Sequence, residues 1–441
     1  MVTEEEFNRR FESIKDNNVR KSVEELFSFY DPEAIVRWWA GLWEPEIGGF
    51  YYANSARDYE GFLPDIESGQ QISARMQMMT GVDLREFYGE KISEKLIHFY
   101  QTKQDEKTGY FFHPQFPADL TKLSTMRYNR DQDWSINMLR KLGSAPLYPT
   151  ALDRMKNNSS AEVVSAVHGW NPHDGESARE FVRKALRERS DEGWSNFFQT
   201  QLTSLVADGV LEDVLDELDA QINPEYGLWV RGVNPENGKY VNLKDEPGEE
   251  VPYGIFTMTY KVIIMYNRAN HPYPYPIEMM KNAVRAILSC DPGIRVTYIF
   301  NPWATLAGLR QNLVKTGRTK ELAEYDAVIR EFGAEMIHAI CVSLGNYRHK
   351  DGSFSFLPGH SSPYIYNTPV SLGLPEGDVN ATHLVLGFAS HISNTLGLEK
   401  ELPVFHEGHW RLFRELLDCA TVKPKKPVPR ELLEETKNHK I

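Results

Sequence analysis

A glycine followed by aromatic residues returns about every sixty residues along this chain, and that period constrains the fold more than any other feature. It reads Gly48-Gly49-Phe50-Tyr51, Gly109-Tyr110-Phe111, Gly227-Leu228-Trp229 and Gly352-Ser353-Phe354, usually just after an Asp, Asn, Pro or Glu turn. Weaker copies at His168-Gly169-Trp170 and Asp291-Pro292-Gly293 fill the two double-length gaps. Gly49, Gly109, Gly169, Gly227, Gly293 and Gly352 therefore mark six units. Length alone suggests several domains for 441 residues. Repeats that each need neighbours to cover an apolar face form one continuous core instead.

Each unit reads as a helix, a glycine-aromatic loop and a second helix. Leu84 to Lys103, Val210 to Ile222 and Ile277 to Cys290 precede loops and carry charged faces. Tyr253 to Asn267, Trp303 to Val314 and Ala381 to Ile392 follow loops and are apolar around most of their circumference, which marks buried helices. Six inner helices ringed by six outer ones make an all-α (α/α)6 toroid over residues 1–420. Phe7, Phe11, Ile14, Val19, Val23 and Leu26 predict an outer helix within 1–29. Residues 421–441 form a Pro/Lys-rich tail, expected to be a solvated linker before a short polar helix.

The formal net charge is -13, and the one basic cluster, Lys423-Pro424-Lys425-Lys426-Pro427, lies in that tail. This argues against nucleic acid as a partner. No apolar run approaches the roughly eighteen residues of a membrane span, and Met1 to Glu6 is acidic rather than a signal segment. A cytoplasmic protein is expected, and the oligomeric state is left open. Cys290, Cys341 and Cys419 are odd in number and far apart, which disfavours disulfides and zinc. There is no Gly-rich phosphate loop after a strand, no His-Glu-x-x-His and no Gly-x-Ser-x-Gly elbow, so no metal or cofactor is expected.

Trp43-Glu44-Pro45-Glu46-Ile47-Gly48-Gly49-Phe50, followed by Gln70-Gln71-Ile72-Ser73-Ala74-Arg75, resembles the opening of N-acylglucosamine 2-epimerase-like enzymes. The chain thereby resembles the six-hairpin toroid superfamily, which also holds glycoside hydrolases and polysaccharide lyases. That resemblance implies a carbohydrate or oligosaccharide substrate. A second resemblance is to terpenoid cyclase and prenyltransferase toroids, through Asp351-Gly352-Ser353-Phe354 and Asp131-Gln132-Asp133-Trp134. A binding toroid without catalysis is a further alternative.

If the inner helices follow the loops, their N-termini open at one end, where a funnel forms. Carboxylates dominate four of those six starts, and any one of them is adequately explained as a helix cap. Their convergence is what suggests chemistry. Leu63-Pro64-Asp65-Ile66-Glu67 and Leu374-Pro375-Glu376-Gly377-Asp378 share a pattern, and ring closure makes them neighbours. Glycoside hydrolysis needs one carboxylic acid and one carboxylate. Asp65, Glu67, Asp133 and Asp378 are the candidates for acid or base, with Glu376 and Asp131 in reserve. Trp43, Trp134, Trp194, Tyr253 and Trp303 are candidates for stacking on sugar rings. Asn380, Arg75 and Arg130 are candidate polar partners; Arg57, Arg75, Arg127, Arg130 and Arg231 either reach the cavity, which would favour an acidic sugar, or equally balance the acids in buried ion pairs. An epimerase would use histidines instead, with His360 the best placed, then His113 and His383. The segment from Gly352 to Glu376 is long enough to be a lid.

Overall fold

The computed structural model describes residues 2–115, 125–156, 175–188, 209–243, 254–289, 295–366, 368–429 and 431. Gly169 and Gly293 lie outside these residues. Helices dominate, and β1 (Trp43–Glu44) with β2 (Gly49–Phe50), β3 (Val230–Val233) with β4 (Tyr240–Asn242), and β5 (Tyr364–Ile365) with β6 (Thr368–Pro369) form three short antiparallel hairpins.

The inner helices are α5 (Ile66–Thr80), α7 (Thr125–Lys141), α11 (Gly254–Ala269), α13 (Val296–Lys315) and α15 (Val379–Thr395). They pack side by side in the order α7, α5, α15, α13, α11, so the last unit lies against the first. Outside them lie α3 (Pro32–Gly41), α6 (Leu84–Gln101), α12 (Pro276–Leu288), α14 (Thr319–Leu344) and α16 (Glu407–Asp418). The inner α13 begins seven residues before the expected Trp303 and carries Pro302 within it. Shorter helices are α4 (Asn54–Asp58), α8 (Ala151–Lys156), α9 (Gly175–Glu188) and α10 (Leu211–Ala220), the last two packed on each other. This is the layered arrangement of an α/α toroid.

The repeated glycines explain the ring. Gly109 (φ 77°), Gly227 (φ 63°) and Gly352 (φ 82°) hold the left-handed backbone that side chains avoid. Gly227 and Gly352 also lie against an outer helix of the next unit, and Gly109 against the start of the short α8. A Cβ at Gly109 would meet Pro149 O at 2.4 Å just before α8, and one at Gly227 would meet Met279 N at 2.6 Å on α12. One at Gly352 would meet Ala34 Cβ at 2.8 Å on α3, so the final loop docks on the first outer helix. In the first unit the left-handed residue is Gly48 (φ 82°), not Gly49. Gly49 sits in β2, where small size matters: a Cβ there would meet Phe99 and Pro64 at 2.9 Å.

Two expectations change. The N-terminal segment is two helices, α1 (Glu4–Glu12) and α2 (Asn17–Phe27), because Asp16 caps α2 by accepting from the Asn18 and Val19 N–H groups. The tail is exposed over most of 421–429, as expected, but it is tied to the first unit at Lys425 and Lys426. Lys426 N–H donates to Asp58 O (2.8 Å), and Glu60 N–H donates to Lys426 O (2.9 Å).

Candidate active site

The Phe50 to Ala53 strand joins the two acid-bearing helix starts. Asp65 N–H donates to Phe50 O (3.0 Å), and Val379 N–H donates to Tyr52 O (3.0 Å). The segments that begin at Leu63 and Leu374 are thus neighbours across one extended stretch of backbone.

Asp65 and Asp378 are both N-caps. Asp65 accepts from Ser68 N–H (2.6 Å) and Ser68 Oγ (3.0 Å). Asp378 is saturated by four donors: Ala381 N–H (2.8 Å), Phe356 N–H (2.8 Å), Ser362 N–H (3.3 Å) and Tyr52 Oη (3.0 Å). Burial pushes both carboxyls up to about 7, against the downward pull of those donors. Both side chains are closed off from solvent, and their bonds fix the two helix starts beside each other.

Glu67, two residues into the same turn, is the hub. Its Oε2 accepts from Arg127 Nη1 (3.0 Å), and its Oε1 accepts from Arg130 Nη2 (2.7 Å) and Gln71 Nε2 (3.1 Å). Arg127 also clasps Asp131, with Nε on Oδ2 at 2.9 Å. Burial pushes the Asp131 carboxyl up to about 6 while Arg127 pulls it down. Arg127, Arg130, Asp131 and Trp134 stand at i, i+3, i+4 and i+7, one face of α7. Gln71 extends the network to Asn380 Oδ1 (2.9 Å) on α15.

Arg130 forms the accessible surface of this cluster. Its side chain is 14% exposed, whereas Glu67 beneath it is 1% exposed. The guanidinium lies 4.0 Å from the Trp134 ring centroid and 4.8 Å from that of Tyr366, and it donates to Tyr366 Oη (3.1 Å). Tyr366 takes a left-handed backbone (φ 48°) in the turn between β5 and β6. That conformation is rare for a bulky residue and marks a position fixed by its surroundings. Asp133 lies about 60° further round α7 from Arg130. It is half-buried, accepts from Asn137 Nδ2 (3.1 Å), and burial raises its pKa.

His383 on α15 donates Nδ1–H to Gln71 O (2.9 Å), which leaves Nε2 as the lone-pair nitrogen, 3.5 Å from Arg75 Nη2. Burial and the Arg75 charge hold this imidazole well below its usual pKa. His113 Nε2 lies 3.9 Å from Asp65 Oδ1.

Several expected contacts fall elsewhere. Trp43 packs on Phe50 with rings 4.9 Å apart, and Trp303 is 1% exposed; both are core residues, as repeat-borne aromatics often are. Arg75 is buried and donates to His383 O (2.9 Å), so it orients α15 instead of reaching a ligand. Glu376 accepts from Ser55 N–H (2.8 Å) and Ser361 Oγ (3.2 Å), pinning two loops together. His360 is exposed and bonds only locally to Pro358 O (3.2 Å), outside the cluster. Trp194 and Tyr253 lie outside the described residues. The expected lid is a packed hairpin: Ser361 N–H donates to Leu374 O (3.1 Å), Val370 N–H to Pro363 O (3.0 Å), and Ser361, Thr368 and Ser371 are buried. Tyr366, Tyr52 and Gln71 were not among the expected site residues. The alternation Tyr364-Ile365-Tyr366-Asn367-Thr368 was the available signal for that hairpin.

Among the described residues no group of three His, Cys, Asp or Glu side chains could hold a metal ion, and no helix is long and apolar enough to cross a membrane. No family model and no curated protein matches the chain. Two solved structures do. One is a glycosyl hydrolase family 88 protein from Bacteroides vulgatus, at 11% identity and a TM-score of 0.39, over 84% of this chain and 99% of that one. The other is a polysaccharide lyase, at 11% identity and a TM-score of 0.38, over 86% of this chain and 100% of that one. At this level of likeness no residue role passes from either protein to this chain.

Proposed function

We propose that this chain is a carbohydrate-active enzyme that binds an acidic sugar on the Arg130, Trp134 and Tyr366 platform and cleaves its glycosidic bond by carboxylate chemistry. The observation that carries the reading is the Arg130 guanidinium, 14% exposed, held between two aromatic rings above a buried carboxylate. Rings stack on the apolar faces of sugars, and a planar guanidinium pairs with a carboxylate in two bonds.

Asp133 is the acid that donates its proton to the leaving glycosidic oxygen, since burial keeps it protonated to higher pH and it is partly exposed. Glu67 is the partner carboxylate: when the carboxylate of the substrate draws Arg130 Nη2 off Oε1, that oxygen takes a proton from the water that adds to the anomeric carbon. Asp65 and Asp378 position the two helix starts on either side. Asn380 and Gln71 hold the polar edge.

A second reading rests on His383. A neutral imidazole with its proton on Nδ1 leaves Nε2, beside Arg75 Nη2 at 3.5 Å, as the atom that removes a proton next to a uronate carboxylate, giving elimination instead of hydrolysis. Incubation with mixed neutral and acidic oligosaccharides, followed by mass spectrometry, separates the two. Shorter sugars carrying an added water, lost in Asp133→Asn, support hydrolysis. Products with an unsaturated sugar, lost in His383→Ala but kept in Asp133→Asn, support elimination. Intact substrates from wild type would overturn both.

A further inference from the structure

Lys425 occupies a cage built for a primary ammonium group. Its Nζ donates to Ala56 O (3.1 Å), Tyr59 O (3.3 Å) and Phe62 O (2.5 Å), so three donors meet three carbonyls. The ammonium also lies 4.4 Å from the centroid of the Tyr51 ring. The cage exists because α4 is only one turn long. Glu60 N–H, which would otherwise close on Ala56 O, donates to Lys426 O (2.9 Å) instead and frees that carbonyl. A parallel bridge between Tyr59 and Lys426 locks the two segments in register.

We propose that residues 51–62 form a primary-ammonium site that Lys425 fills from within the chain, making 421–429 a strap on the loop that leads to the acid cluster. The loop reaches that cluster from both ends. Tyr52 bonds Asp378, Ser55 N–H bonds Glu376, and Asp65 and Glu67 follow directly. Neighbouring Lys423 and Lys426 are exposed, so the selectivity for position 425 comes from the carbonyls and not from charge alone. An Arg could not replace Lys425, because a planar fork does not converge on three carbonyls as an ammonium does. This inference rests on no reading of the reaction.

Hydrogen exchange of the Arg57, Tyr59 and Glu60 amides in the full chain tests it, with no need for an activity assay. Lys425→Gly is expected to speed their exchange tenfold or more, whereas Lys423→Met leaves it unchanged. n-Butylammonium should restore protection in Lys425→Gly. Tetramethylammonium at equal ionic strength should not, because it can lie on Tyr51 but has no N–H to donate. Unchanged exchange in Lys425→Gly, or equal effects of the two ions, would overturn the proposal. If Lys425→Gly does not fold, Lys425→Arg decides: faster exchange is expected, and wild-type protection there contradicts the cage.

Discussion

The two ends of α15 differ in how they hold charge. At its N-terminus, Asp378, Asp65, Glu67, Arg127 and Asp131 are buried and multiply bonded, with Arg130 and Trp134 partly open above them. At its C-terminus, about 25 Å away along seventeen residues, Thr395 to Lys400 border a cavity of about 1380 Å3 with α1, α2, α13 and α14. Its charges form ordinary surface pairs such as Arg10 with Glu6 (2.7 Å) and Lys400 with Glu6 (3.4 Å). The proposed site is therefore not chosen by size. Buried charge points to it, because desolvated groups must be paired and are the ones whose proton affinities move.

The contrast is broken most directly at Glu67. Glu67→Ala leaves Arg127 buried without one of its two carboxylates, and the expected loss is about 3–5 kcal/mol in urea unfolding. A loss below about 1 kcal/mol would mean the hub is not a tightly coupled network. Next in size is a pH effect. Asp65 titrates near 7 in the folded chain and near the ordinary 3.8 unfolded, so the folded state binds more protons between those values. Its contribution to stability therefore falls as pH rises from about 4 to 7, by about 1.4 kcal/mol per pH unit at most. The stability difference between wild type and Asp65→Asn should shrink over that window; a flat or rising difference contradicts the assignment. Glu6 at the other end runs the opposite way. Arg10 holds its pKa low, so its contribution is present above the usual carboxylate range and fades as pH falls through the lowered value.

Trp134→Ala should weaken binding of acidic oligosaccharides about tenfold, roughly 1.4 kcal/mol, by titration calorimetry. Equal binding would remove the aromatic platform from the site. The smallest effect is expected at Lys400→Ala, since an exposed pair contributes about 0–1 kcal/mol. A loss as large as that of Glu67→Ala would erase the distinction between the two ends.

Much of the architecture was legible in the sequence, since the glycine period reports a backbone requirement at the loops. Gly109, Gly227 and Gly352 take left-handed backbone and touch the next helix of the ring, which is what a repeated glycine signals. The convergence of Asp65 and Asp378 followed from closing the ring. Their use as saturated caps was also foreseeable, because an Asp before a helix caps it by default. Buried ion pairs between the arginines and the acids were one of two open readings, but the choice of Glu67 as their hub was not legible, since Arg127 and Arg130 reach it across about sixty positions through side-chain geometry alone. Tyr366 escaped notice because its role depends on a left-handed turn that no local pattern demanded. Lys425 was read as solvated because a Pro/Lys run carries no mark of the carbonyls it meets.

Hydrogen exchange with and without a uronate-containing oligosaccharide addresses both ends of α15 in one experiment. Protection should appear at residues 130–134, 364–366 and 380–383, with none at 6–19 or 395–400. Protection confined to 6–19 and 395–400 would place the ligand in the large cavity and contradict the assignment of the acid-rich end as the active site.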